Sequence, residues 1–333
     1  MKLTKGKQFL ITLGLILILC GAAFLLPAYR LIIKETAPPQ LVIPADTSSN
    51  SSEPAANTSS SAPPIPSLPF DFSPAPKPNP SGFKDDYTYE DDTIKVKISK
   101  EKYDYQACTI AEVWITHPSQ LRTAFAEGGY NSPTREHLSD IAKRNNAVLA
   151  VNTDYYNMRK DGIIIRQGIL YRNKPSGRHM LIIDAKGDFH TIPENAFNLT
   201  EWENKGIINS FSFGPALVID GVQQKMPNGF PEGAIWELHP RTAIGQLGEL
   251  HYLVVTVDGK QAHSSGLLVN QLAAMMKEKG CIQAFNMDGG QSTVMTFNNK
   301  VMNIVAYDGE RRLSDIMYFA TALDYSAQHY DPY

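Results

Sequence analysis

Between Ile94 and Ile98 apolar and charged residues alternate, with Ile94, Val96 and Ile98 set against Lys95 and Lys97. A period of two marks a half-buried strand. Ala111–Thr116 continues in β-favouring residues, and short apolar runs at 147–151, 163–165 and 180–183 predict further strands. Ser132-Pro133 predicts a helix start, with Ser as N-cap and Pro at the first helical position. Leu138, Ile141 and Ala142 then supply its apolar face. Farther along, His251–Val257 reads as a strand ending in the turn signal Asp258-Gly259. Ser264 or Ser265 caps a predicted helix over Leu267–Lys279. Its Leu268, Leu272, Met275 and Met276 share one face, and Gly280 ends it. Cys281–Phe285 follows as a strand and runs into Asn286-Met287-Asp288-Gly289-Gly290. Strand, helix, strand and glycine-rich turn make a βαβ-like unit. Strands outnumber helices, so the expected class is α+β, or mixed α/β: a single domain with a central β-sheet and flanking helices.

Two segments break this rhythm. Phe9 to Ala28 is apolar and uncharged throughout, with Lys2, Lys5 and Lys7 before it and Arg30 and Lys34 after it. About 20 such residues cross a hydrocarbon core of about 30 Å. No small-residue cleavage site follows, and Leu19 is too large for lipidation at Cys20. The segment reads as an uncleaved single-span anchor. The basic bias places residues 1–8 in the cytoplasm and the remainder outside the cell. From Glu35 to Gly82 the chain is built of Pro, Ser, Ala, Thr and Asn, a composition that cannot bury enough apolar area to order itself. Residues 29–82 are therefore expected to be a disordered linker and 83–333 the globular domain.

Composition narrows the function. A net charge of −3 excludes the basic excess of a nucleic-acid binder. Of three cysteines, Cys20 lies in the apolar segment. Cys108 and Cys281 read as buried thiols, with pairing left open. Their spacing matches no zinc site; no required metal or cofactor is expected, with an oxygen-ligand site at Asp154 or Asp258 left open.

Candidate chemistry collects where predicted strands end, because a sheet holds such loops rigid and accessible. Asn152 and Asp154, in Asn152-Thr153-Asp154-Tyr155-Tyr156, suit sugar hydroxyls or a water, or else form an Asx turn. In His239-Pro240-Arg241-Thr242, Arg241 offers a guanidinium fork for phosphate oxygens, or a surface ion pair. In Asp288-Gly289-Gly290-Gln291-Ser292-Thr293, two glycines permit close backbone approach and successive amides suit an anion. Ser292 lacks a nucleophile elbow. Asp258 ends its strand, and Asp308-Gly309-Glu310-Arg311-Arg312 reads as a charged turn.

Taken in order, these segments carry a resemblance. VNTDYY (151–156), GIIIRQGILYR (162–172), SFGPALVIDG (212–221), HPRTAIG (239–245), YLVVTVDG (252–259), NMDGGQST (286–293) and DGERRLSD (308–315) resemble the phosphodiester glycosidase family over residues 146–323. The match is closest to its bacterial, exopolysaccharide-related members. Thr153 stands where the family more often has glycine, Gln291 where it has a third glycine, and Gln271 where it often has glutamate. The resemblance implies a hydrolase that cleaves a sugar from a sugar-1-phosphodiester in an extracellular or envelope glycan, and the apolar run from Phe9 to Ala28 is expected to anchor it to the cell membrane. It implies Asp288 or Asp154 as base, nucleophile or cation-stabilising carboxylate, and Arg241 with the Gly289 and Gly290 amides on the phosphate. Asn152, Ser292, Thr293, Asp258 and Glu310 complete the expected substrate contacts. The alternative class is a non-catalytic glycan-binding or assembly domain on the same fold. Partners follow as a glycan substrate and the membrane, without nucleic acid and with the oligomeric state open.

Overall fold

The computed structural model describes residue 72 and residues 74–203, 205–226 and 233–323. The expected span over 9–28 lies outside the described residues. Among those described, no helix is long and apolar enough to cross a membrane. Helices are few, at Leu138–Arg144, Leu199–Glu203 and Val269–Glu278, and strands dominate. The expected balance of helix and sheet is thus corrected toward β.

The expected central sheet resolves into two large ones. The eight-stranded sheet runs Thr88–Glu90, Ile94–Tyr103, Gln106–Ile115, His251–Val257, Arg241–Gly248, Gln283–Met287, Ala216–Ile219, Val222–Gln223 from edge to edge. The five-stranded sheet runs Lys300–Val301, Met295–Phe297, Leu149–Asn152, Asp315–Phe319, Leu121–Phe125. Their inner faces meet in one core. Val96, Val113, Ile244, Val254 and Phe285 come from the first sheet, and Leu149, Val151, Met295, Met317 and Phe319 from the second. Alternation does the sorting, since neighbouring residues on a strand point to opposite faces. Ile244 enters this core, while Ala243 packs with Leu272 and Met276 of the helix Val269–Glu278 on the outer face. The helix Leu138–Arg144 covers the other sheet from outside through Leu138, Ile141, Ile316 and Tyr318.

The strand–helix–strand unit is present in a split form. His251–Val257 and Gln283–Met287 each pair antiparallel with Arg241–Gly248, which lies between them. The two are therefore parallel to each other, joined across the intervening strand by the helix. Both helix starts differ from expectation. Ser132 closes a local turn by accepting from Thr134 N, and the first helix begins at Leu138. The third begins at Val269, where the Gln271 side chain accepts from Leu268 N at 2.8 Å and leaves no role for Ser264 or Ser265 as cap. Cys108 and Cys281 are buried free thiols.

The linker reading is corrected at its end. Ala75 is buried in the cluster of Leu138, Ile141 and Ala147, and Asn146 Nδ2 donates to its carbonyl at 2.6 Å. Gly82 lies against the Tyr89 ring so closely that a Cβ there would stand 2.5 Å from it. A Pro-rich segment with little apolar area of its own still packs where the domain supplies the rest of the surface.

Candidate active site

Several strand ends meet on one rim. Asn152 ends its strand, Asp288 follows Gln283–Met287, Arg166 ends Gly162–Arg166, and Asp315 begins Asp315–Phe319. The cavity there is lined by Asn152, Thr153, Asp154, Asp288, Ser292 and Asp315, and on its outer side by Arg135, Arg311 and Arg312. Tyr155, Asn157, Met158, Leu313 and Ser314 complete it.

Beneath it lies a buried ion cluster centred on Arg166, which is 2% exposed. Its Nη2 donates to Asp154 Oδ1 at 2.7 Å and its Nε to Asp315 Oδ2 at 2.8 Å. Nη1 donates to the carbonyls of Ile165 and Ser210. The second oxygens are also held: Asp154 Oδ2 accepts from Ser212 N, and Asp315 Oδ1 from Thr153 Oγ1, each at 2.7 Å. Charges this deep persist only when paired and hydrogen-bonded. Burial, together with the Asp154 charge, pushes the Asp315 carboxyl above the usual range. Arg166 and the Thr153 hydroxyl oppose that rise.

Asn152 ties the two sheets together. Its Nδ2 donates to Asp288 O at 2.7 Å, and its Oδ1 accepts from Thr242 Oγ1 at 2.8 Å and from Val294 N at 3.3 Å. Thr153 O accepts from Asp288 N at 3.0 Å. The Asp288 backbone is therefore fixed from both sides, and Asn152, expected as a sugar contact, positions it.

The side chain of Asp288 is less constrained. Oδ1 accepts from Gly289 N at 2.9 Å. The Ser292 hydroxyl lies near the carboxyl, short of a formed hydrogen bond. Protein surrounds the carboxyl on nearly every side, and that burial pushes it up to about 6 against the pull of Ser292, Arg311 and the Gly289 N–H. The residue keeps partial solvent contact at the cavity. A carboxyl accessible to solvent and poised near neutrality is suited to proton transfer or attack.

Other expected contacts fall elsewhere. Gly289 N is held by Asp288, and Gly290 N donates to Pro240 O at 3.0 Å, so neither amide is available to an anion. The glycines serve packing instead: a Cβ at Gly289 would stand 2.6 Å from Pro240 O, and Gly290 has φ +63. Thr293 Oγ1 is buried without a hydrogen bond among the described residues and lies outside the lining. The Arg241 guanidinium donates to Leu267 O at 2.8 Å and Glu237 O at 2.7 Å, and it also lies outside the lining. It braces the segment behind Gly289, and burial lowers it to about 10. Asp258 pairs with His263 at 3.0 Å and accepts from Ile304 N. Glu310 accepts from Ser139 N at the start of the first helix.

Sequence reasoning passed over Arg166 and Asp315 as chemistry. The signal was there: an arginine closing Ile163-Ile164-Ile165, and an aspartate opening Ile316-Met317-Tyr318-Phe319. A charge inside an apolar strand implies a buried partner. Arg135, Arg311 and Arg312 make no hydrogen bond or ion pair among the described residues, and arginines in polar turns carry no such signal. Among the described residues no group of three His, Cys, Asp or Glu is placed to hold a metal ion.

Comparison with known proteins gives these groups a context. A profile described as phosphodiester glycosidase matches residues 145–320. The SPbeta prophage-derived uncharacterized protein YomE of Bacillus subtilis is 27% identical over 198 residues, 56% of this chain and 30% of that protein. The chain thus spans less than a third of that relative. The catalytic domain of zebrafish N-acetylglucosamine-1-phosphodiester alpha-N-acetylglucosaminidase, auto-inhibited by its pro-peptide, superposes with TM-score 0.57 at 18% identity, covering 74% of this chain and 87% of that domain. A hypothetical protein from Synechocystis gives 0.50 at 14% identity, covering 69% and 62%. At these identities the two structures speak to the fold.

Proposed function

Because the chain belongs to the phosphodiester glycosidase family, we propose that it hydrolyses the bond between the anomeric carbon of a sugar and the phosphate of a sugar-1-phosphodiester, with Asp288 as the reacting carboxylate. The observation that carries this reading is the Asp288 carboxyl itself: reachable from solvent, pushed up to about 6 by burial, and within the field of an unpaired arginine, Arg311. A phosphodiester departs readily, so little acid help is required. The demands are negative charge beside a sugar that becomes cationic and positive charge on the departing phosphate. Ionised Asp288 supplies electrons to the anomeric carbon, either by bonding to it, in a glycosyl-enzyme that water then hydrolyses, or through a water whose proton it takes. The electron pair of the broken C–O bond leaves with the phosphate, where Arg311 offsets the charge. Asp154 stands behind, locked by Arg166 and Ser212 N, and adds fixed negative charge. The extracellular, membrane-anchored setting of this reaction rests on the apolar run 9–28 and the Pro/Ser-rich stretch after it.

The test is to incubate the full chain with an N-acetylglucosamine-1-phosphodiester and follow release of sugar and phosphomonoester. Release by the wild type and its loss in folded Asp288→Asn supports the reading. Tight binding without release from any sugar-1-phosphodiester would instead favour a glycan-binding domain.

A further inference from the structure

The outer side of the cavity carries more positive charge than one phosphodiester can use. Arg135, Arg311 and Arg312 all line it without a hydrogen bond or ion pair among the described residues. Each guanidinium presents five N–H donors, and one or two forks saturate the two free oxygens of a single phosphodiester. The three are also differently placed. Arg311 is half-buried and close enough to pull down the Asp288 carboxyl. Arg312 is exposed, and its charge is felt at Glu136. Arg311 acts on Asp288 and Arg312 on Glu136, so the two serve different points along the cavity. The third arginine joins the second through backbone pairing. Glu136 N donates to Leu313 O at 3.0 Å and Leu313 N to Glu136 O at 2.7 Å; this antiparallel pair places Arg135 toward Ser314 and Arg312 toward His137, so the two arginines flank it diagonally on adjoining segments.

We infer that the substrate is a polyanion, a glycan whose sugars are joined through repeated phosphodiesters. One link is cut at Asp288 under Arg311, while a neighbouring phosphate of the same chain rests on Arg135 and Arg312. This rests on the glycosidase reading and adds to it the class of substrate. The interior and the rim then divide the work. Asp288 faces the sugar above the locked Asp154 and Asp315, and the rim gathers cations along the phosphate backbone. A lone sugar-1-phosphodiester uses only the inner half.

The experiment compares two probes on the full-length protein: the methyl diester of N-acetylglucosamine-1-phosphate, and a short oligomer of the same sugar joined through 1,6-phosphodiesters. The expected result is a higher kcat/KM per link on the oligomer, carried by KM. Raising salt from about 50 to about 200 mM should narrow that advantage. With one added phosphate neutralised, the slope of log(1/KM) against log salt should be steeper for the oligomer by about 0.7, as for flexible single strands. Arg135→Gln with Arg312→Gln should remove most of that slope difference, and should lower kcat/KM on the oligomer several-fold more than on the methyl diester. Both side chains are unpaired, so the variant should melt with the wild type, which separates binding from folding. Equal slopes and equal kcat/KM for the two probes would overturn the inference and leave the glycosidase reading intact. Turnover of neither probe would overturn both.

Discussion

Two adjoining regions of the site treat their polar groups in opposite ways. Under the cavity, Arg166, Asp154 and Asp315 make six hydrogen bonds, two among themselves and four to Thr153, Ile165, Ser210 and Ser212, and both oxygens of each carboxylate are held. In the adjoining loop, Asp288 has one formed side-chain hydrogen bond and keeps solvent contact, while the hydroxyls of Ser292 and Thr293 are buried without one. A saturated buried network fixes geometry, and removing one member strands the others. Unsatisfied groups are uncommon in a folded interior, and they cluster where chemistry or a ligand will complete them. The contrast assigns stability to the floor and reaction to the loop, and it can be broken from either side.

The largest effect should come from the floor. Arg166→Met leaves Asp154 and Asp315 buried beside each other without a cation. Breaking such a pair from one side costs about 3–5 kcal/mol. Urea unfolding at neutral pH should show that loss, with part of it recovered when Asp315→Asn is added. A variant as stable as the wild type would mean that the cluster is not what holds the rim together.

The loop should answer differently. Asp288→Asn keeps an oxygen to accept from Gly289 N and loses the charge, so kcat should fall about 10²-fold or more, roughly 2.7 kcal/mol of transition-state stabilisation. Stability should move the other way, and the sign follows from the shift. The folded carboxyl titrates at about 6, above its ordinary 3.8. The folded state therefore favours the protonated form. That advantage is full below about pH 4 and is lost as pH rises through about 6. Asp288→Asn should melt above the wild type near pH 7.5, and the gap should close toward pH 4. Wild-type kcat/KM should rise through about pH 6 and level off, because the ionised form reacts. A variant that unfolds at neutral pH would return Asp288 to the structural side of the contrast.

How much of this was visible in the sequence depends on the range of the interaction. Strand alternation at Ile94–Ile98, the helix face of Leu272, Met275 and Met276, and the Asp288-Gly289-Gly290 turn are local patterns, and each lies in the predicted kind of element. The insertion of Arg241–Gly248 between two strands that are neighbours in sequence order is a long-range pairing that no local period encodes. The same limit applies to the site. Asp154 and Asp288 were legible as polar residues at strand ends. Arg166 could be read as a buried charge from the apolar run that it closes, but that its partners are Asp154 and Asp315, and that Arg311 rather than Arg241 stands by Asp288, is decided by long-range packing.

Arg241 tests that last point. Its fork spans Leu267 O and Glu237 O behind the glycine loop. Lysine keeps a charge in the same place but cannot hold both carbonyls in that geometry. An orphaned buried acceptor costs about 1–3 kcal/mol. Arg241→Lys should therefore lower thermal stability, with a smaller change in kcat/KM. A large rise in KM at unchanged melting temperature would restore Arg241 to the phosphate, as its sequence context suggested.

The smallest effect should come at Glu310, and it separates the two regions most finely. The helix Leu138–Arg144 has no capping side chain from His137, and Glu310 Oε2 accepts from Ser139 N at 3.1 Å in its place. A carboxylate there satisfies an orphan amide and faces the positive end of the helix, so Glu310→Ala should cost about 1 kcal/mol. Glu310→Gln keeps an acceptor and loses the charge, and should cost less. The two variants thus grade the cap, and denaturant midpoints with amide exchange at Ser139 would read it. Activity should follow only through the neighbouring Arg311, whose backbone Glu310 steadies, as a modest rise in KM shared by both variants in proportion to their lost stability. If Glu310→Ala instead leaves stability untouched and abolishes binding, Glu310 belongs with the reacting groups, and the division between a saturated floor and a reactive loop does not extend to the turn that carries the rim arginines.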